Sequence, residues 1–236
     1  MTHSSAELIG PKLMLAFDGL EPPERILTWI RQRRVAGFSL FRGHNYFSPE
    51  QMRELTAALQ GCARAAGQPP LLIAVDQEGG QLTGLGDGTT QFAGNMALGA
   101  AGDPALARRV GHAIGRELAA LGINVNYAPV LDLNTEPRNP ALGTRAFSDD
   151  PALAAALGAA MVEGLQAAGV AATLKHFPGL GESTLDSHHG MPVVAHSRER
   201  LDRVESVPCR AGIDAGAKLI MTGHFAIPAL TGSTAY

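Results

Sequence analysis

The chain has 236 residues, 45% of them hydrophobic and 17% charged, which fits a globular protein with a large core and excludes a disordered one. A formal net charge of −3, with no basic block, argues against nucleic acid or an anionic membrane as the main partner.

Residues 11–19, PKLMLAFDG, are a short apolar run closed by Asp18-Gly19 and predict a first strand, followed by the helical stretch PPERILTWIRQRRVAG. GFSLFRGHN (37–45) predicts a second strand. Ser48 then caps a helix that has Pro49 in its first turn and continues through MRELTAALQGCARAAG. Pro69-Pro70 stops it, and LLIAVDQEGG (71–80) reads as a strand buried on both faces. A Gly-rich loop leads to Asp103-Pro104, which opens the helix ALARRVGHAIGRELAALG, and INVNYAPVLDLN (123–134) is the fourth strand. After a polar loop, Asp150-Pro151 opens another helix, and VAATLKHFPG (170–179) is the fifth strand with its loop. A helix over roughly 197–215 and a sixth strand, KLIMTGHF (218–225), complete the pattern.

Strand–helix alternation at this period means parallel strands with right-handed crossovers. An open doubly wound sheet and a closed barrel both fit. The first strand–helix turn, AFDGLEPPE, has neither a G-x-G-x-x-G nor a P-loop signature. Chemistry-bearing residues cluster behind strands three to six, the habit of a barrel. The expected fold is therefore an α/β, TIM-type (β/α) barrel. About six of its eight strand–helix units are present, as one domain over 1–236 that is incomplete at its C-terminal end.

Cys62 and Cys209 lie far apart without metal-type spacing, so a reducing compartment is expected. The N-terminus lacks the basic region and long apolar run of a signal peptide, and no segment has enough unbroken apolar residues to span a bilayer. The expectation is a cytoplasmic protein with no membrane partner.

The most specific string is KHFPGLGESTLDSHHGMP, from Lys175 to Pro192. It resembles the K-H-F-P-G-x-G…D-S-H motif of glycoside hydrolase family 3, in its β-N-acetylglucosaminidase branch. VDQEGG, NVNYAPVLDLN, LGTRAFSDDP and KLIMTGHF resemble further segments of that family in the same order, so the likeness runs from about residue 11 to 230. It implies hydrolysis of terminal β-linked N-acetylglucosamine from cell-wall or chitin-type glycosides, by a retaining mechanism without metal or organic cofactor. It further implies His188 as acid/base with Asp186 as its orienting partner, and Asp76, Arg145, Lys175 and His176 as contacts to the sugar.

The residue types suit those roles. Glycosidic cleavage needs an acid at the leaving oxygen, and an imidazole held by a carboxylate can give a proton and take one back. Lysine and arginine donors suit hydroxyl and amide oxygens. Taken singly, Asp76 reads slightly better as a turn cap, and Arg145 as a solvated charge.

Four departures stand out. Gln81 and Gly84 replace arginines common in the family, and Leu180 replaces a histidine. No residue matches the family's nucleophilic aspartate after strand seven, and Asp214 reads as a solvated helix charge. Two other readings remain. A metal-dependent barrel hydrolase would want His-x-His at the end of strand one, where Ala16-Phe17-Asp18-Gly19 stands. A truncated, inactive sugar-binding barrel would lack the nucleophile but keep the sugar contacts. Open barrel edges predict self-association.

Overall fold

The computed structural model describes residues 8–233. The leader-peptide reading rests in part on residues 1–7, outside the described residues. Six strands form one parallel sheet: β1 (Met14–Leu15), β2 (Gly37–Ser39), β3 (Leu72–Val75), β6 (Val125–Asn126), β7 (Ala171–Phe177) and β8 (Leu219–Thr222), in the order β1-β2-β3-β6-β7-β8. Between β3 and β6 a two-stranded antiparallel hairpin, β4 (Gln77–Gly79) and β5 (Leu82–Thr83), stands apart from the sheet. The helices are α1 (Glu24–Arg33), α2 (Arg42–Asn45), α3 (Pro49–Ala65), α4 (Asn95–Ala101), α5 (Pro104–Ala120), α6 (Pro151–Ala167), α7 (Arg198–Arg203), α8 (Ser206–Asp214) and α9 (Pro228–Thr231). The sheet curls into a half-barrel backed by helices, as the alternation implies.

The helix starts follow local chemistry. The side chains of Ser48, Asp103 and Asp150 accept from the backbone N–H of Gln51, Ala105 and Ala152, with proline in each first turn. The buried faces of α1, α3, α5 and α6 pack on the sheet around Phe38, Ile73, Leu118, Leu157 and Leu174. Each such side chain removed from water contributes about 1.5–3 kcal/mol. α5 and α6 approach closely through glycine: a Cβ on Gly164 would lie 2.2 Å from the Arg108 carbonyl oxygen.

Several element boundaries differ from expectation, each for a visible reason. The second strand ends at Ser39, and Arg42–Asn45 turns helical. The buried Asn45 side chain accepts from the Phe41 N–H and donates to the carbonyls of Phe17 and Gly19. The third strand stops at Val75, because the Asn126 amide clamps Gln77 and the positive φ of Gly79 and Gly80 turns the chain into the hairpin. Only Val125–Asn126 of 123–134 is regular strand, with Val130 rejoining β7 through a single bridge to Lys175. The helix expected over 197–215 is broken at Val204, and the Gly-rich loop contains α4.

β1 and β8 are each paired on one side among the described residues. Ile220 of β8, Ile213 of α8 and Leu13 beside β1 are exposed near those edges. Among the described residues, no helix is long and apolar enough to cross a membrane.

Candidate active site

The C-terminal ends of β2, β3, β6, β7 and β8 and the loops behind them surround a cleft of about 590 Å³. Its lining includes Asp76, Tyr127, Arg145, Lys175, His176, Asp186, His188 and His224. All six residues expected at the site therefore reach one cavity. A smaller crevice of about 230 Å³ lies behind Glu78 among Phe92, Leu98, Leu106 and Val110, without the convergent polar groups of the cleft.

Asp76 is the first residue after β3, and Lys175 lies on β7, two strand positions away across β6. Lys175 is 1% exposed, and its Nζ lies 2.6 Å from Asp76 Oδ1 and 2.6 Å from Glu78 Oε1. The guanidinium of Arg145 donates to both oxygens of Glu78, from Nε at 2.8 Å and from an Nη at 2.7 Å. It also donates to the Ala141 carbonyl. Two carboxylates and two cations thus close a compact network in the floor of the cleft. Burial pushes the Glu78 carboxyl up, but Arg145 and Lys175 outweigh it and hold it below the ordinary range. Because both carboxylates hold the Lys175 ammonium, Asp76 and Arg145 present the more open atoms to a ligand.

The adjacent His176 reaches the cleft as well. Pairing between β7 and β8 slips between Leu174 and Phe177, the kind of irregularity that re-aims side chains at strand ends. His176 Nδ1 lies 2.6 Å from Asp132 Oδ2, and Asp132 also accepts the backbone N–H of His176 and of Leu180. Burial raises the Asp132 carboxyl, yet the facing His176 and these donors bring it below its usual value. With Nδ1 held by Asp132, Nε2 of His176 is the nitrogen left for a ligand.

Asp186 and His188 sit in the loop between β7 and α7. Asp186 Oδ1 lies 2.7 Å from His188 Nδ1 and accepts the His188 backbone N–H at 2.9 Å. Those two bonds, the backbone one first, hold the Asp186 carboxyl below its ordinary range. The His188 imidazole is 86% exposed, unlike any cation of the floor.

Sequence reasoning missed Glu78 and Asp132, which touch the site residues rather than face the cleft. An acid two places after Asp76 and another at the end of the fourth strand run were the available signals. Tyr127 and His224 line the cleft without having been singled out as site residues. The Tyr127 hydroxyl bonds Ser39, and its phenol is raised by burial and by the nearby Asp76 charge. The departures also have local explanations. Gln81 accepts from Thr144, beside Arg145, and a Cβ on Gly84 would press on Val75 and the Asp76 backbone. Leu180 is buried, and its N–H bonds Asp132. Asp214 is exposed at the end of α8, as expected.

Residues 6–236 match the model described as "Glycosyl hydrolase family 3 N terminal domain". The chain belongs to glycosyl hydrolase family 3. Within that family it is 38% identical over 253 residues to "Beta-hexosaminidase A" of Pseudoalteromonas piscicida, which covers 98% of this chain and 42% of that protein. A family 3 β-N-acetylglucosaminidase structure from Paenibacillus sp. str. FPU-7 superimposes with a TM-score of 0.94 at 46% identity, over 98% of this chain and 44% of that one. The structure of NagZ from Neisseria gonorrhoeae in complex with N-trifluoroacetyl-D-glucosamine gives 0.88 at 30% identity, over 95% and 66%. This chain therefore spans less than half the length of the first two of these relatives.

Proposed function

We propose that this chain supplies the sugar-binding floor and the acid/base of a retaining β-N-acetylglucosaminidase. The observation that carries the reading is the convergence of Asp76, Arg145, His176 and the Asp186–His188 pair on one cleft. The names of the hexosaminidase relatives, and the N-trifluoroacetyl-D-glucosamine complex of the Neisseria protein, support N-acetylglucosamine as the sugar.

In this mechanism the floor holds the terminal sugar by its hydroxyls, through the open oxygen of Asp76, the Arg145 fork and His176 Nε2. As the imidazolium, His188 donates its Nδ1–H to Asp186 and gives its Nε2 proton to the leaving glycosidic oxygen. The neutral ring, Nδ1–H still on Asp186, then takes a proton at Nε2 from the attacking water. A retaining reaction also needs a nucleophile on the opposite face of the sugar. Asp76 and Asp186 are the carboxylates lining the cleft among the described residues, and both are engaged. The nucleophile is therefore assigned to a carboxylate outside the described residues. Among those residues no group of three or more His, Cys, Asp or Glu is placed to hold a metal ion.

Cell-wall or chitin fragments are the proposed source of substrate, with peptidoglycan turnover as the setting. The unpaired Cys62 and Cys209 support a reducing, cytoplasmic compartment. Calorimetric titration of this chain with N-acetylglucosamine, with glucose as control, tests the floor. Release of N-acetylglucosamine from an aryl β-glycoside tests the reaction, using the protein with whatever continuation its gene encodes. Glucose binding as tightly as N-acetylglucosamine, or release proceeding with inversion at the anomeric carbon, would sink the reading.

A further inference from the structure

The loop that carries Asp186 and His188 is gripped at its base by a charge cluster that takes no part in the cleft. Glu182 lies on the loop, four residues before Asp186. Its Oε2 accepts from Thr135 Oγ1 at 2.7 Å and lies 3.8 Å from an Nη of Arg200 and 3.7 Å from His196 Nε2. Glu205, between α7 and α8, is buried, and its Oε1 takes Nε and an Nη of Arg200, both at 3.1 Å. His196 Nε2 stands 3.6 Å from the same oxygen and makes no hydrogen bond of its own. Three separate segments meet here: the polar stretch after β6, the Asp186 loop, and the α7–α8 corner.

The surrounding backbone explains why the cluster bears on the loop. Gly179 lies against Glu205, where a Cβ would approach the Glu205 Cβ to 2.9 Å. Asn139 donates to the carbonyls of Leu180 and Gly181, and Ser183 Oγ both donates to the Leu185 carbonyl and accepts the Leu185 N–H. On the return limb, the Val194 N–H donates to the Ala226 carbonyl and the Ala226 N–H to the Pro192 carbonyl, and Val194, Leu201 and Ile227 form a small core of their own. Both limbs are fixed, while Thr184, Leu185, His188, His189 and Gly190 between them are exposed. On the outgoing limb, Glu182 is the charged side chain nearest in sequence to Asp186.

We infer that Glu182 is a positioning residue for the acid/base: through Thr135 and the Arg200–Glu205 pair it holds the loop in the conformation that couples His188 to Asp186 at the cleft. The inference rests on the assignment of His188 as acid/base. The distant Arg200 and His196 contacts of a partly exposed carboxylate contribute little alone. The short Thr135 bond to an ionised acceptor is the stronger tie.

The test is chosen to read the couple without requiring turnover. Long-range ¹H–¹⁵N spectra of the His188 ring, recorded on this chain, report its tautomer and its bond to Asp186. Asp186→Asn serves as the reference for a broken couple. Glu182→Ala should move the His188 ring signals most of the way towards that reference, and Thr135→Val should move them part of the way. Glu182→Gln, which keeps an acceptor for Thr135, should stay nearer the wild type. Ring signals in Glu182→Ala and Thr135→Val that coincide with the wild type would overturn the inference. So would shifts of equal size at His176, which would mean general loosening rather than positioning. Should Glu182→Ala fail to fold, Thr135→Val decides alone. In the enzyme with its full gene-encoded sequence, Glu182→Ala should lower kcat on alkyl glycosides at least about tenfold more than on activated aryl glycosides, about 1.4 kcal/mol, with KM little changed. An equal loss on both substrate classes would also count against it. Absence of sugar binding in the wild type would defeat the proposed function while leaving the spectra interpretable.

Discussion

The ammonium of Lys175 is 1% exposed and held by two carboxylates, whereas the imidazole of His188 is 86% exposed and held by one. The first belongs to a floor anchored on strands, where Lys175 of β7 and Glu78 of β4 are out of water and Asp76, just after β3, and Arg145, in the loop after β6, complete the balance of charge. The second belongs to a loop. Buried charges must be paired and hydrogen-bonded to be tolerated, and that requirement fixes their geometry before a ligand arrives. An exposed couple costs little to build. The division suits the proposed glycosidase role, in which recognition of the sugar needs preorganised donors and the proton donor must meet a leaving group of variable size.

The contrast can be broken from the floor first. Glu78→Ala would leave Lys175 and Arg145 without their shared carboxylate, and loss of one partner of a buried pair costs about 3–5 kcal/mol. Chemical denaturation should show a drop of that order, together with loss of N-acetylglucosamine binding. A stability within about 0.5 kcal/mol of wild type would mean the network is not structural. His188→Ala should do the reverse. Stability and sugar affinity stay near wild type, while turnover of poor-leaving-group substrates by the full gene product falls roughly 10²–10⁴-fold. Unchanged turnover on such a substrate would remove His188 from its role.

A gentler probe is acid. Glu78 and Asp132 both have folded values below their ordinary ones, so each contributes stability that is complete above the unfolded value, about 4, and is lost as pH falls through the folded value. Stability should therefore hold from neutrality down to about pH 4 and decline below it. The decline should be shallower in Asp132→Asn. An equally steep decline in that variant would place the acid-sensitive charge elsewhere. The smallest effect concerns the sheet edges. Sedimentation of this chain should show concentration-dependent self-association through the one-sided strands β1 and β8. Ile220→Lys, which puts a charge on the exposed edge, should weaken it. A monomer at all concentrations would show that these edges do not associate.

Much of this was legible in the order of residues. The strand–helix alternation and the proline-led helix starts with their Ser or Asp caps depend on contacts within a few residues of one another. They could be read because local backbone chemistry decides them. The string from Lys175 to Pro192, with Asp186 and His188, was legible in another way, as a motif that resembles one of a known family. The parts that escaped all depend on distant contacts. Asn45 ends a strand by bonding Phe17 and Gly19, and Asn126 turns the chain at Gln77. Glu78 meets Arg145 across 67 positions, Asp132 meets His176 across 44, and Glu182 meets Thr135 across 47. A buried charge has no local signature, because its partner is chosen by which strand ends the curled sheet brings side by side. The sequence by itself therefore determined the repeating units and the chemistry available at their ends. Only the tertiary structure decided which of those groups pair in the floor, and which remain free for a sugar.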